Sequence, residues 1–136
     1  MLENPKINIK IKLAALWASL VFCYLYGDYF ELYVPEKVNS LLTGENILDS
    51  PTKLLIASIV LAIPSIMIAL SIILKPKINR ILNIVFGTLF TLMMVLIAIN
   101  SLTAWYSFYV FLAILESLIT FLIVVYAWKW PRKISE

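Results

Sequence analysis

Residues 106–128 read YSFYVFLAILESLITFLIVVYAW, an apolar run whose single charged side chain, Glu116, stands near its middle. A helix crosses a hydrocarbon core of about 30 Å with about 20 predominantly apolar residues, so this run is long enough to span a bilayer. A carboxylate at that depth costs roughly 2.5 to 3.5 kcal/mol on insertion scales when it faces lipid. Glu116 is therefore read as turned toward a protein interior or a watery cavity, and as the first candidate functional side chain.

Three further runs of the same kind lie upstream, over 13–33, 54–74 and 81–102. The whole composition agrees: 62% of the 136 residues are apolar and 14% charged, against roughly 45–50% and 25% in soluble domains. The fold class expected is all-α, a polytopic membrane protein whose four transmembrane helices form one bundle over 1–136. The loops and tails left over are too short to build a soluble domain, which argues against catalysis on a large aqueous substrate. Lys6, Lys10 and Lys12 precede the first run as in a signal peptide, and Leu20-Val21-Phe22-Cys23 has the outline of a lipoprotein cleavage site. The run is too long and aromatic for a leader, and bulky Phe22 occupies a position that wants a small residue, so it is read as a retained helix.

Charge sets the orientation. Nine of the eleven Lys and Arg gather on one side of a four-span arrangement: Lys6, Lys10 and Lys12; Lys75, Lys77 and Arg80; Lys129, Arg132 and Lys133. The positive-inside rule then predicts a multi-pass protein of the cytoplasmic membrane with both termini cytoplasmic and the 34–50 loop outside. The net charge of +3 is a topology signal and lends nothing to nucleic-acid binding. Tyr33, Trp105, Tyr106, Trp128 and Trp130 fall at span ends, where interfacial aromatics belong. Pro76 and Pro131 are read as breakers, and Ser50-Pro51 as a cap and first-turn proline. In the outer loop, Pro35, then Val38, Leu41 and Leu42, then Gly44 predict a short interfacial helix. The alternating stretch 6–12 is expected to be a helical extension with snorkelling lysines, because a lone strand cannot satisfy its backbone at a membrane.

Small residues recur at helical spacing in every span: Ala15, Ser19, Cys23 and Gly27; Ser58, Ala62, Ser65 and Ala69; Gly87, Thr91 and Ala98; Ala113, Ser117 and Thr120. Such columns let membrane helices approach closely. Pro64 lies inside the second span, where it removes a backbone donor and kinks the helix or frees a carbonyl. Asn79, Asn83, Asn100 and Ser101 are read as hydrogen-bonding residues of span ends.

Glu116 shares a helix face with Tyr109, Ala113 and Thr120. A carboxyl withdrawn from water and lacking a cation favours its neutral form and gives up its proton when a cation arrives, which is the chemistry of a proton-linked site. The alternative is a structural acid that fixes helix register. A second acidic group closes span one, where Asp28 and Glu31 share a face with Tyr24 one turn below. Two acids and phenol faces suit an outer vestibule for a cation or amine; the alternative is a wetted helix end in which Asp28 or Glu31 pairs with Lys53. The chain has no histidine and one cysteine, Cys23. The commonest metal ligands and the usual general base near neutral pH are thus missing, and no cofactor or metal is expected.

Leu16-Trp17, Phe22-Cys23-Tyr24, Tyr26-Gly27-Asp28-Tyr29-Phe30 and Leu32-Tyr33-Val34-Pro35 resemble the first-span signature of an uncharacterised bacterial and archaeal family of small four-span membrane proteins. The resemblance implies a four-helix membrane fold and brings no activity or site residue with it. Glu36 stands where the resemblance leads one to expect glycine.

The functional expectation is a carboxylate-centred bundle that binds or transports a cation, or a proton-linked or amphipathic small molecule. Glu116 is its deep site, with Tyr109 on the same helix face, and Asp28 and Glu31, with Tyr24 a turn below, form the outer rim that draws the cation. Its expected partners are the bilayer, that ligand and a second copy of the chain. Two other classes compete: an accessory or immunity-type protein that binds a partner through its outer loop, and a small lipid-modifying enzyme using its acids and phenols.

Overall fold

The computed structural model describes residues 1–132, and Lys133, the last base of the charge pattern, lies outside the described residues. Five α-helices follow one another: α1 (Ile9–Glu31), α2 (Lys37–Thr43), α3 (Pro51–Ile73), α4 (Pro76–Asn100) and α5 (Ser107–Trp128), with a 3-10 turn at Ala104–Tyr106 before α5. No strand occurs among the described residues. Four of the helices are long and apolar enough to cross a membrane, so the chain is a multi-pass membrane protein.

Local chemistry sets the helix ends. Asn8 caps α1, its Oδ1 accepting from the Lys10 amide at 2.8 Å. This corrects the extension expected over 6–12: Asn8 has extended backbone, because its side chain competes for the first free amides, and only Ile9 onward is helical. Ser50 caps α3 through the Lys53 amide at 3.2 Å with Pro51 in the first turn, as read from sequence. Pro76 is a first-turn proline of α4 and not a breaker in a longer loop, so the α3–α4 connection shrinks to Leu74 and Lys75. The short helix expected in the 34–50 loop forms as α2 and ends at Gly44, whose φ of 78° is the left-handed conformation that glycine adopts freely.

The turn entering α2 gives meaning to the glycine expected at Glu36. The Lys37 amide donates to the Val34 carbonyl at 3.1 Å, Pro35 is the second residue of the turn, and Glu36 has φ 69° and ψ −6°. These are the features of a type II turn, whose third position favours glycine. Glu36 holds a backbone shape suited to a residue without Cβ.

The long helices pack α4 on α5, α5 on α1 and α1 on α3, while α3 and α4 barely touch although they are consecutive. Leu13, Trp17 and Leu20 of α1, Met67 of α3, Phe90 of α4, and Ile123 and Ala127 of α5 form the buried core. These residues lie toward the end that carries both termini and the α3–α4 turn. A polar network joins the helices there. Trp17 Nε1 donates to Asn83 Oδ1 at 2.7 Å, Asn83 Nδ2 to Asn79 Oδ1 at 2.7 Å, and Asn79 Nδ2 to the Ser71 carbonyl at 2.7 Å. All four side chains are fully buried. Asn79, in the first turn of α4, is a hydrogen-bonding residue of a span end as read from sequence, whereas Asn83, a turn deeper, is a core residue; the pair ties three helices together. In lipid, where apolar attraction between helices vanishes, such bonds and close van der Waals contact hold a bundle together. Arg80 closes the same end of α5, donating to the Ala127 and Trp128 carbonyls at 3.1 and 3.2 Å.

The small-residue columns divide. Gly87 of α4 and Ala113 and Thr120 of α5 are buried, and Thr91 Oγ1 donates to Thr120 Oγ1 at 2.6 Å across the α4–α5 contact. Ala15 and Ser19 of α1, and Ser58, Ser65 and Ala69 of α3, face outward. The packed face of α1 is built from Leu13, Ala14, Trp17 and Leu20, with Gly27 the one buried member of its small-residue column, because a wide indole that donates a hydrogen bond organises that contact better than a row of small side chains.

Candidate functional site

On α5, Ala113, Glu116, Thr120 and Ile123 recur at three-to-four spacing and are all buried. Glu116 retains 5% of its exposure and does face the bundle interior. Its main-chain carbonyl accepts from Thr120 Oγ1 at 3.1 Å, whereas its carboxylate has no hydrogen-bond partner and no ion pair among the described residues. The carboxylate opens on a cavity of about 440 Å³, within the 300–1,000 Å³ or so that small-molecule sites occupy.

Each long helix contributes a wall. From α1 come Tyr24, Gly27 and Asp28, with Tyr24 and Asp28 one turn apart; from α5 come Tyr109 and Glu116. The remaining walls are apolar: Ala57, Val60 and Leu61 of α3, and Met93, Met94 and Ile97 of α4. Ile47 and Leu48 of the long loop complete the lining. The Tyr24 hydroxyl is buried without a hydrogen-bond partner, and its ring packs on Phe90 with centroids 6.2 Å apart. Buried polar groups are nearly always hydrogen-bonded, so an orphan phenol beside an unbonded acid is a local departure from ordinary packing.

Four of the five residues singled out from sequence, Glu116, Asp28, Tyr24 and Tyr109, line this one cavity. The fifth does not. Glu31 pairs with Lys37 at 3.0 Å and accepts from the Tyr106 hydroxyl at 3.3 Å, so it fastens α2 and the start of α5 to the end of α1. The expected pairing of Asp28 or Glu31 with Lys53 does not form, because Lys53 has Asp49 one helical turn away at 2.8 Å. The rest of the aromatic cluster turns outward: Tyr26, Tyr29 and Phe30 are exposed, and the Tyr29 and Tyr33 hydroxyls meet at 3.1 Å. Tyr24 alone of that cluster enters the cavity.

Sequence reasoning missed the apolar walls of α3 and α4 and the part played by Ile47 and Leu48. Met93-Met94 was the available signal, since adjoining flexible thioethers suit an adaptable surface. Among the described residues, no three acidic or thiol side chains converge as metal ligands. The arrangement can hold a compact positive charge against Glu116, with phenols beside it and an apolar body around it.

No curated protein and no solved structure matches the chain. A family model does match, and it takes in all four long helices, the cavity between them and the outer loop: across residues 4–135 the chain fits, and so belongs to, the family of unknown function DUF6326.

Proposed function

We propose that this protein binds a small cationic or amphipathic molecule in the cavity between its four long helices, with Glu116 as the counter-charge, and carries it within or across the cytoplasmic membrane. One observation supports this above all: a buried glutamate whose carboxylate, unpartnered among the described residues, stands at the wall of a cavity that also holds Asp28, Tyr24 and Tyr109. A register-fixing acid would be consumed by a hydrogen bond to a neighbouring helix, as Asn79 and Asn83 are by Ser71 and Trp17. In this reading Asp28, nearer the loop end, draws the cation, the phenol faces hold it, and Glu116 exchanges a proton for it. The lysine-rich end is cytoplasmic and the loop lies outside, by the charge bias. The apolar Val38, Leu41 and Leu42 of α2, uncovered by the bundle, suit a seat in the headgroup layer.

The test is binding of tetramethylammonium and of longer-chain quaternary amines to the purified protein in lipid nanodiscs. Saturable binding that falls at least tenfold in Glu116→Gln, with folding intact, is the expected result. Binding unaffected by that exchange would overturn the assignment of Glu116.

A further inference from the structure

Two of the cavity's walls belong to helices that barely touch, α3 and α4. Hydrogen bonds between α3 and α4 occur only beside their connecting turn, through Ser71, Leu74, Asn79 and Asn83. Every buried residue of α3, namely Pro64, Met67 and Ser71, lies in the half nearer that turn. From Pro51 to Ala62 no residue is fully buried, and only Ala57, Val60 and Ala62 are partly so, Val60 packing against the core a turn before Pro64, which offers no N–H to the Val60 carbonyl. In this loosely held half the cavity walls are Ala57 and Leu61 on one side and Met93 and Ile97 on the other. Toward the loop, by contrast, the apolar Ile47 and Leu48 form part of the lining. The charged wall, Glu116 with Asp28, belongs to α5 and α1 across the cavity.

Resting on the binding role proposed above, we infer that the ligand is a single-tailed cationic amphiphile taken from the bilayer: its head meets Glu116, and its apolar tail lies out between α3 and α4 toward the lipid. A wholly hydrophilic cation would leave the apolar walls facing nothing that needs them. A neutral lipid tail would leave the carboxylate unanswered. A cation with a tail satisfies both walls at once, and the gap lets the tail remain in hydrocarbon while the head reaches the acid.

Two probes with one head group separate the parts of this inference. Tetramethylammonium and hexyltrimethylammonium are titrated against the full chain in lipid nanodiscs by calorimetry, with the signal from empty nanodiscs subtracted. Hexyltrimethylammonium is expected to bind at least tenfold more tightly. Ala57→Trp, which fills the gap from the α3 side, is expected to weaken the hexyl compound at least fivefold more than the tetramethyl one; Leu61→Trp replaces it if that variant does not assemble. Equal affinities for the two probes, or a tail advantage that survives both gap-filling variants, would overturn the lateral seat and leave the Glu116 site standing. Failure of both probes to bind the wild-type chain would remove the site and the inference together.

Discussion

At Glu116, stability and function pull in opposite directions. A carboxyl drawn largely out of water into an apolar cavity wall with no protein partner weakens the fold that holds it, at a cost of about 1–3 kcal/mol by the measure of protein mutational data. Glu116→Leu is therefore expected to raise thermal stability in detergent by about that amount while ending cation binding, the trade-off of a site kept for its chemistry. A register-fixing glutamate would give the reverse, a lower melting temperature. Asn83→Ala belongs to the other kind of buried polar residue. It strands the Trp17 indole N–H and the Asn79 Oδ1, and should destabilise by about 1–3 kcal/mol. Glu36→Gly should stabilise the entry to α2 by about 1 kcal/mol, because φ 69° costs a residue with Cβ roughly that much. Thermal unfolding of the three variants beside the wild type checks all of these signs.

The contact of α4 with α5 is the closest in the bundle. A Cβ built on Gly87 would meet Val124 Cγ2 at 2.8 Å and the Thr120 carbonyl at 3.4 Å, whereas one on Gly27 would meet Leu112 Cδ1 at 3.5 Å, an ordinary contact. Gly87→Ala is expected to push the two helices apart at a cost of about 1–3 kcal/mol, and Gly27→Ala to change little, as read by thermal unfolding. The outward columns of α1 and α3 show the limit of spacing as evidence. Ala15, Ser19, Ser58 and Ser65 repeat as regularly as Gly87, Thr91 and Ala98, yet they are exposed. Spacing records that a close approach is allowed. Which face is approached depends on which face carries something to bond, and on α1 that is Trp17.

Across the whole molecule, one end is locked and the other open. The Trp17–Asn83–Asn79–Ser71 network, the buried core and Arg80 over the end of α5 hold the terminal end, while the loop end encloses the cavity. Orientation in the membrane is tested in a Cys23→Ser background with single cysteines at Asn39 and at Lys6. An impermeant maleimide applied to intact cells is expected to label the first and to spare the second until the membrane is opened; the opposite pattern would reverse the topology. Four long apolar helices, a short helix in the loop between the first two and the inward turn of Glu116 were all legible in the sequence. Apolar length, caps, prolines and the cost of a charge in hydrocarbon are local properties of a chain, and each acts before any helix meets another. That Glu116, Asp28, Tyr24 and Tyr109 share one cavity, that Glu31 leaves it for Lys37, and that α3 stands away from α4 were decided only by tertiary structure. These depend on how helices distant in sequence rotate about their axes, and that rotation is settled by the sum of contacts between faces, which no single span contains.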